Sequence, residues 1–195
     1  MTAHSLRLFQ RPNSCKRCPR AIDPVTVSHQ KGGKGVSAMA VEIRLVRLSE
    51  IEPAEISAHM SDPRVAEHMP LLTFECDSAV ASEFIAKKEA HWATDGLGHW
   101  AFVANGRYVG WGGFEKEEDE WDFGLVLKPA VFGLGLRIAR KAIDFAVSDA
   151  RIPFVTFLLP PSRKNLGALT RLGARPAGRI SHSGATFLKY RLETV

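Results

Sequence analysis

The amino-acid sequence predicts a mixed α/β domain in which helices cover both faces of a mostly antiparallel sheet. Three observations support this class. Short alternating apolar runs are interspersed with helical stretches, Asn105-Gly106 joins two of the runs, and a long helical stretch separates two later ones. With 195 residues, 45% hydrophobic and 24% charged, the chain suits one globular domain. The predicted order of strands and helices is β-α-α-β-β-β-α-β-α-β-β.

The first strand and the first helix are recognised by pattern and by end signals. Residues 42–48, EIRLVRL, alternate between apolar and charged side chains, as a half-exposed strand does. Ser49 and Glu52 have the spacing of a capping box and predict a helix over about residues 50–60. An Asp-Pro pair shortly afterwards ends that helix.

The next segment combines a capped helix with a three-stranded meander. Asp77 is placed to cap a helix that runs to about Thr94, where an Asp-Gly pair ends it. The runs HWAFVA and RYVGWGGFE flank Asn105-Gly106, the strongest short-range signal for a β-hairpin. The acidic turn KEEDE then leads into a third strand, WDFGLVLK.

The rest of the chain returns to the sheet through a crossover. A strand over 120–127, a helix over 135–149 and a strand over 154–159 form a β-α-β unit, which predicts parallel strands and a right-handed connection. The remaining predicted elements are a helix from about Arg163 to Leu172 and short strands near 177–181 and 185–192.

The positive net charge lies outside the predicted domain. Residues 1–38 hold seven Lys and Arg and one Asp, a charge of +6 within a total of +5, so residues 39–195 carry −1. We expect residues 1–38 to be a disordered basic tail; an alternative is that the natural product starts at Met39. This distribution argues against a nucleic-acid partner, and binding through the tail alone is the competing hypothesis.

Cysteine usage and hydropathy argue against other classes. Cys15 and Cys18 have zinc-ligand spacing, but no second Cys/His pair follows at a suitable distance, so we expect no metal site. The odd total of three cysteines, completed by Cys76, is typical of a reducing compartment and predicts a cytoplasmic protein. No apolar run approaches the ~18 residues that span a bilayer, so no membrane partner is expected.

Gly133 and Gly135 stand where the helix over 135–149 begins. Glycines there let a ligand approach the backbone, and the unpaired amides with the positive end of the helix dipole suit a phosphate, to which Arg137 would add charge. The alternative is that both glycines serve only a tight turn. A dinucleotide fingerprint requires glycine where Ile138 stands, and a P-loop requires Gly-Lys-Ser/Thr, which is absent after Gly135. Both motifs are excluded.

The order of elements, together with LVLKPAVFGLGL, resembles the GNAT superfamily of acyl-CoA-dependent N-acetyltransferases. The pyrophosphate loop of that family reads Gln/Arg-x-x-Gly-x-Gly/Ala, and residues 130–135 keep both small residues but have Ala130 at the polar position. The most similar branch is the ribosomal-protein alanine N-acetyltransferase type, which has counterparts of WxxxxxGxxVGWGGF, xFGLxLKPxxFGxG and PSRxNxGALxRLGARPxG. The likeness covers about residues 42–192.

The resemblance implies acetyl-CoA as acyl donor and a place for it. In the family the fourth and fifth strands separate, the pantetheine arm lies between them, and the amides of the glycine loop hold the pyrophosphate. Ser162 stands where the family usually has Asn, although it also suits the N-cap of the last helix. The implied coenzyme-binding residues are Val126, Leu127, Phe132, Gly133, Leu134, Gly135, Leu136, Arg137, Ser162 and Asn165.

Catalysis needs a base, because an amine with a pKa near ~10.4 is mostly protonated at neutral pH and cannot attack a thioester. The branch has an acid early in the fourth strand, where this chain has Asp122. Glu120 lies on the same face and Glu115 on the neighbouring strand. The alternatives are that these acids form only a solvated hairpin, or a rim that attracts a cationic acceptor.

The acid that protonates the departing thiolate in many relatives is a Tyr, and its place is Leu169. Asn165 is implied as a hydrogen-bond partner of the coenzyme or of the leaving sulfur. We therefore predict an N-acetyltransferase that moves an acetyl group from acetyl-CoA to a primary amine by direct attack. The acceptor is a small molecule or a protein N-terminus, and a homodimer is possible. The alternative is a non-catalytic acyl-CoA-binding module, suggested by Ala130 and Leu169.

Overall fold

The computed structural model describes residues 41–72, 76–164 and 166–194, which form seven strands and five α-helices. The predicted tail, the Cys15–Cys18 pair and Asn165 lie outside the described residues. The strands are β1 (Ile43–Arg47), β2 (His99–Ala104), β3 (Arg107–Glu117), β4 (Glu120–Leu127), β5 (Phe154–Leu159), β6 (Arg175–His182) and β7 (Ala185–Glu193). The α-helices are α1 (Pro53–Met60), α2 (Pro63–Ala66), α3 (Ser78–Thr94), α4 (Gly135–Ser148) and α5 (Gly167–Leu172).

All seven strands form one sheet in the order β1-β2-β3-β4-β5-β7-β6. Neighbouring strands are antiparallel except β4 and β5, which are parallel, as the predicted crossover requires. The hairpin between β2 and β3 turns at Asn105-Gly106, where φ is 49° and 75°. Only residues that tolerate a positive φ allow such a two-residue turn, so this prediction is confirmed.

Helices cover both faces of the sheet, which confirms the predicted class. The side chains of alternate residues point to opposite faces, so each face has its own core. One core joins β2–β5 to α4 and α5 and includes Phe102, Phe114 and Phe123. The other packs Tyr108 and Trp111 against α1 and α3. Among the described residues, no helix is long and apolar enough to cross a membrane.

The predicted capping box at the first helix is wrong. Residues Leu48–Glu50 form a short 3₁₀ turn, and α1 starts later, with Pro53 at its first position. Proline suits that position because its missing N–H would have no partner inside the helix and its φ is already helical. Glu50, rather than Glu52, reaches back and accepts a hydrogen bond from the backbone N–H of Arg47 at 2.9 Å.

The predicted cap of α3 is confirmed and has a measurable consequence. A carboxylate oxygen of Asp77 accepts a hydrogen bond from the backbone N–H of Val80 at 2.8 Å. We expect Asp77→Ala to lower the free energy of unfolding by about 1 kcal/mol, because that N–H loses its partner. Urea denaturation measures the change. Asp77→Asn keeps a capping oxygen and serves as the control; equal losses in both variants would contradict the capping role.

Candidate active site

β4 and β5 separate in the middle of the sheet. They pair only at Trp121–Val155 and Asp122–Thr156, whereas β4 stays paired with β3 up to Leu127. β5 turns instead to β7, with which it pairs along its whole length. Beyond Asp122 the edge of β4 therefore faces a gap rather than a strand. Backbone N–H and C=O groups in such a place require other partners, and an extended ligand with amide groups supplies them.

Asp122 lies where the two strands part. The flanking residues Trp121 and Phe123 belong to the core under α4, so Asp122 projects to the opposite face. Its carboxylate lies 3.2 Å from the hydroxyl of Thr156, which can donate to it. Protein atoms crowd the carboxyl on most sides, and the residue as a whole is half-buried. This is the position that a proton acceptor in a binding cleft needs.

The pKa of Asp122 is raised to about 7. Burial is the main cause, since it disfavours the charged form, and the neighbouring carboxylates of Glu117 and Glu115 add to it. Hydrogen bonds from the Thr156 hydroxyl and the backbone N–H of Leu158 act in the other direction. The carboxyl is thus able to take up and release a proton near neutral pH.

The other two candidate acids are engaged in ion pairs. Glu120 pairs with Lys189 of β7. Glu115 is bound by Lys88 at 2.5 Å and by His91 at 2.8 Å. Within the described part of the chain, Asp122 alone of the three has no cationic partner. The structure therefore favours Asp122 over Glu120 and Glu115 as the proton acceptor.

The two glycines at the start of α4 are required neither by backbone geometry nor by packing. Neither has a positive φ. A Cβ atom at Gly133 would meet nothing within 4 Å, and one at Gly135 would lie in ordinary contact, 3.5 Å from a methyl carbon of Leu127. The hypothesis that they serve only a tight turn loses its support. The open space in front of Gly133 instead suits a ligand.

The start of α4 has no side-chain cap. Pro129–Leu134 form a 3₁₀ turn, and no side chain caps the first turn of α4, where Leu134 is the N-cap. The N–H of Gly135 donates to the carbonyl of Phe132. The guanidinium of Arg137 donates to the carbonyl of Val41 at 3.2 Å. An uncapped helix start has donors and a partial positive charge that suit an anion.

Ser162 has a different local role from the predicted N-cap, which is therefore wrong. α5 begins only at Gly167, with Leu166 at the N-cap position. The Ser162 hydroxyl lies 2.8 Å from a ring nitrogen of His68 and 3.2 Å from the carbonyl of Glu67. It thus ties the segment after β5 to the segment after α2. Leu169 is buried in the core.

A cavity of about 590 Å³ is lined in part by the glycine loop itself, including Ala130 and Gly133. Val109, Val131 and Leu134 are among its lining residues, and all three belong to the α4 face of the sheet. Asp122 projects from the opposite face. This cavity is therefore separate from the candidate proton acceptor.

Sequence reasoning missed Thr156 and Lys189, which touch the candidate acids. Thr156 is a polar residue in the apolar run FVTFLL, and that anomaly was the available signal. Lys189 gave no signal, because its pairing with Glu120 depends on the position of β7 in the sheet. Trp111 and Gly112 serve strand packing: Trp111 is buried, and a Cβ at Gly112 would lie 2.3 Å from the carbonyl oxygen of Gly124.

Comparison with known proteins identifies the family to which the fold belongs. A family model described as the acetyltransferase (GNAT) domain matches residues 41–175, most of the chain. The chain belongs to the GNAT acetyltransferase family. It is accordingly an acetyl-CoA-dependent acetyltransferase, and acetyl-CoA is its acyl donor. This favours an enzyme over the non-catalytic module considered from the sequence.

Solved GNAT structures share the fold at low sequence identity. A putative GNAT-family acetyltransferase from Bordetella pertussis is 16% identical, with 80% of this chain and 97% of that chain covered and a TM-score of 0.62. An aminoglycoside acetyltransferase in complex with coenzyme A is 13% identical (79% and 95% covered, TM-score 0.63). A ribosomal-protein-S5-alanine acetyltransferase from Vibrio fischeri is 11% identical (79% and 93% covered, TM-score 0.63).

Proposed function

We propose that this GNAT acetyltransferase acetylates a cationic primary amine, with Asp122 as the general base at the point where β4 and β5 part. The observation that carries the proposal is the carboxyl of a half-buried Asp122, which lies where the two strands part and has no cationic partner among the described residues, and whose pKa is about 7. A base works best when its pKa lies near the working pH, because it is then both deprotonated and a good proton acceptor.

The proposed reaction needs no covalent enzyme intermediate. The Asp122 carboxylate takes a proton from the acceptor ammonium, directly or through a water, and Thr156 holds the carboxylate in place. The neutral amine then attacks the thioester carbonyl carbon, so that a C–N bond forms and the C–S bond breaks. A thiol has a reference pKa of about 8.5, so the sulfur can leave as thiolate and take the second amine proton.

The donor is proposed to bind along two features of the fold. The free edge of β4 at Val126 and Leu127 offers backbone groups to the amides of the pantetheine arm. The amides of residues 132–136, with Arg137 nearby, are proposed to bind the pyrophosphate. Ser162 and Asn165 remain proposed contacts of the coenzyme. Open space at Gly133 and the uncapped start of α4 support this placement.

The acceptor is proposed to be cationic because acidic residues lie at the β3–β4 hairpin, a few residues before Asp122. Glu117, Glu118 and Asp119 form the turn of the hairpin between β3 and β4, and Glu118 and Asp119 are exposed. Such a rim raises the local concentration of a positively charged acceptor. The three sequence motifs favour a protein N-terminal amine, as in the alanine acetyltransferase branch. The acidic rim also suits a small polycationic amine, and one of the structural neighbours is an aminoglycoside acetyltransferase.

A thiol-release assay with an acceptor panel tests the proposal. The panel contains a peptide with a free N-terminal alanine, the same peptide with a blocked N-terminus, an aminoglycoside and a polyamine. We expect acetyl-CoA-dependent thiol release with one class of free amine, matched by one added acetyl group in mass spectrometry. Binding of acetyl-CoA without turnover on any amine would overturn the proposal.

A further inference from the structure

A half-buried ion-pair cluster joins α3 to β3. Lys88 Nζ lies 2.5 Å from one oxygen of Glu115, and His91 Nε2 lies 2.8 Å from the other. Only 19% of the Lys88 side chain and 21% of the Glu115 side chain are exposed. Each oxygen of Glu115 thus has its own partner on α3. Charges at this depth interact more strongly than charges at the surface, since less solvent screens them.

The cluster lies beside the candidate base. Glu115 and Asp122 are directly opposite each other in the register of β3 and β4, so their side chains share one face. The Cβ atoms of such cross-strand neighbours lie about 4.5–5.5 Å apart. Two carboxylates this close oppose each other's ionisation unless a cation compensates one of them. Lys88 is placed to do so.

Other charged or titratable groups lie near Glu115 and Asp122. His99 is buried, its Nδ1 lies 4.0 Å from Glu115, and its pKa is well below the usual value, first because of burial, so it is neutral. The remaining groups are the Glu120–Lys189 pair, the Glu117–His182 pair, the His91–Asp95 contact and the Arg191–Glu193 pair.

We propose that Lys88 is a positioning residue for acetyl transfer: by neutralising Glu115 it allows the neighbouring Asp122 to be charged at neutral pH. The inference rests on the proposed role of Asp122 as base. Lys88 does not need to touch a substrate. The helix α3 supplies the compensating charge, and the register of β3 and β4 places Glu115 beside Asp122.

The sign of the expected effect follows from the charges. Activity requires deprotonated Asp122, so kcat/KM rises with pH through the pKa of that carboxyl. Removing Lys88 leaves the charge of Glu115 less compensated, raises the pKa of Asp122 and moves the acidic limb of the profile to higher pH. Removing the charge of Glu115 lowers that pKa and moves the limb to lower pH.

The test compares the pH profiles of kcat/KM for Lys88→Met, Glu115→Gln, the double variant and a control. We expect the limb to move up by about one pH unit in Lys88→Met, which is about a tenfold loss on the acidic side. In Glu115→Gln the acidic limb should move to lower pH. In the double variant the limb should lie at lower pH than in Lys88→Met. Lys87→Met is the matched control, since Lys87 is 71% exposed on the same helix and pairs with Glu83.

A ligand-free readout separates this inference from the proposed function. Carbon-13 NMR of the Asp122 carboxyl gives its pKa without any substrate, and it should rise in Lys88→Met and fall in Glu115→Gln. Unshifted titration in both variants, or a loss of activity that is equal at all pH values, would overturn the inference. If the carboxyl titration shifts but Asp122→Asn keeps full activity, the base assignment fails instead.

Discussion

Replacing Asp122 by Asn is expected to lower kcat/KM for acetyl transfer by about 10²–10⁴-fold, the range typical of a lost general base. Asn has the same shape as Asp and keeps an oxygen that can accept from Thr156, but it cannot take up the amine proton. Steady-state kinetics with the preferred acceptor measure the loss, and acetyl-CoA affinity should change little. Asp144→Asn, the same substitution at an exposed position of α4 on the other face of the sheet, is the control. A loss of less than threefold in Asp122→Asn would contradict the assignment.

The Asp122→Asn variant should also differ from the native protein in how its stability depends on pH. The pKa of Asp122 is about 7 in the folded protein and 3.8 as reference, so between these values the folded state binds more protons than the unfolded state. The native protein should therefore lose stability as pH rises from about 4 to 7, because ionising this carboxyl is unfavourable inside the fold. Asn does not titrate. In thermal unfolding, the melting temperature of Asp122→Asn should rise relative to that of the native protein from pH 5 to pH 8. A difference that is the same at every pH would contradict the raised pKa.

Replacing Gly133 by Asp is expected to weaken acetyl-CoA binding by about 100-fold or more, a loss of about 2.7 kcal/mol. The new carboxylate would occupy the open space in front of the loop and repel a pyrophosphate at the start of α4. Calorimetry with acetyl-CoA measures the change. The fold itself should tolerate the substitution, since a Cβ there meets nothing within 4 Å.

Two controls make the Gly133 experiment specific. Gly133→Ala adds a Cβ without charge and should cost much less affinity than Asp. The melting temperature of both variants should match the native protein, because the position is open and has no positive φ. Native affinity in Gly133→Asp would mean that the pyrophosphate lies elsewhere.

Much of the fold was predictable because its signals are local. Asn105-Gly106 specifies a tight hairpin, and Asp77 caps α3 through a side chain three residues from its partner. The errors are also local, where two signals compete. At the first helix Pro53 outweighed the Ser49–Glu52 spacing, since proline is pre-set for a first helical position.

The candidate site was predictable only in part. Asp122 was identified through resemblance to a family, but its raised pKa depends on burial and on neighbours from β3 and β5. The cluster of Lys88, His91 and Glu115 joins residues far apart in sequence, and no local pattern indicates it. Contacts of this kind follow from tertiary packing, which a single sequence does not specify.

The most direct test of the account is a crystal structure with acetyl-CoA bound. The central claim is that the gap between β4 and β5 holds the thiol arm and that the start of α4 holds the diphosphate. We predict pantetheine amides bonded to the backbone of Val126 and Leu127, phosphate oxygens at the amides near Gly133, and Asp122 on the acceptor side of the thioester. Coenzyme bound elsewhere, with the gap empty or closed, would contradict the claim.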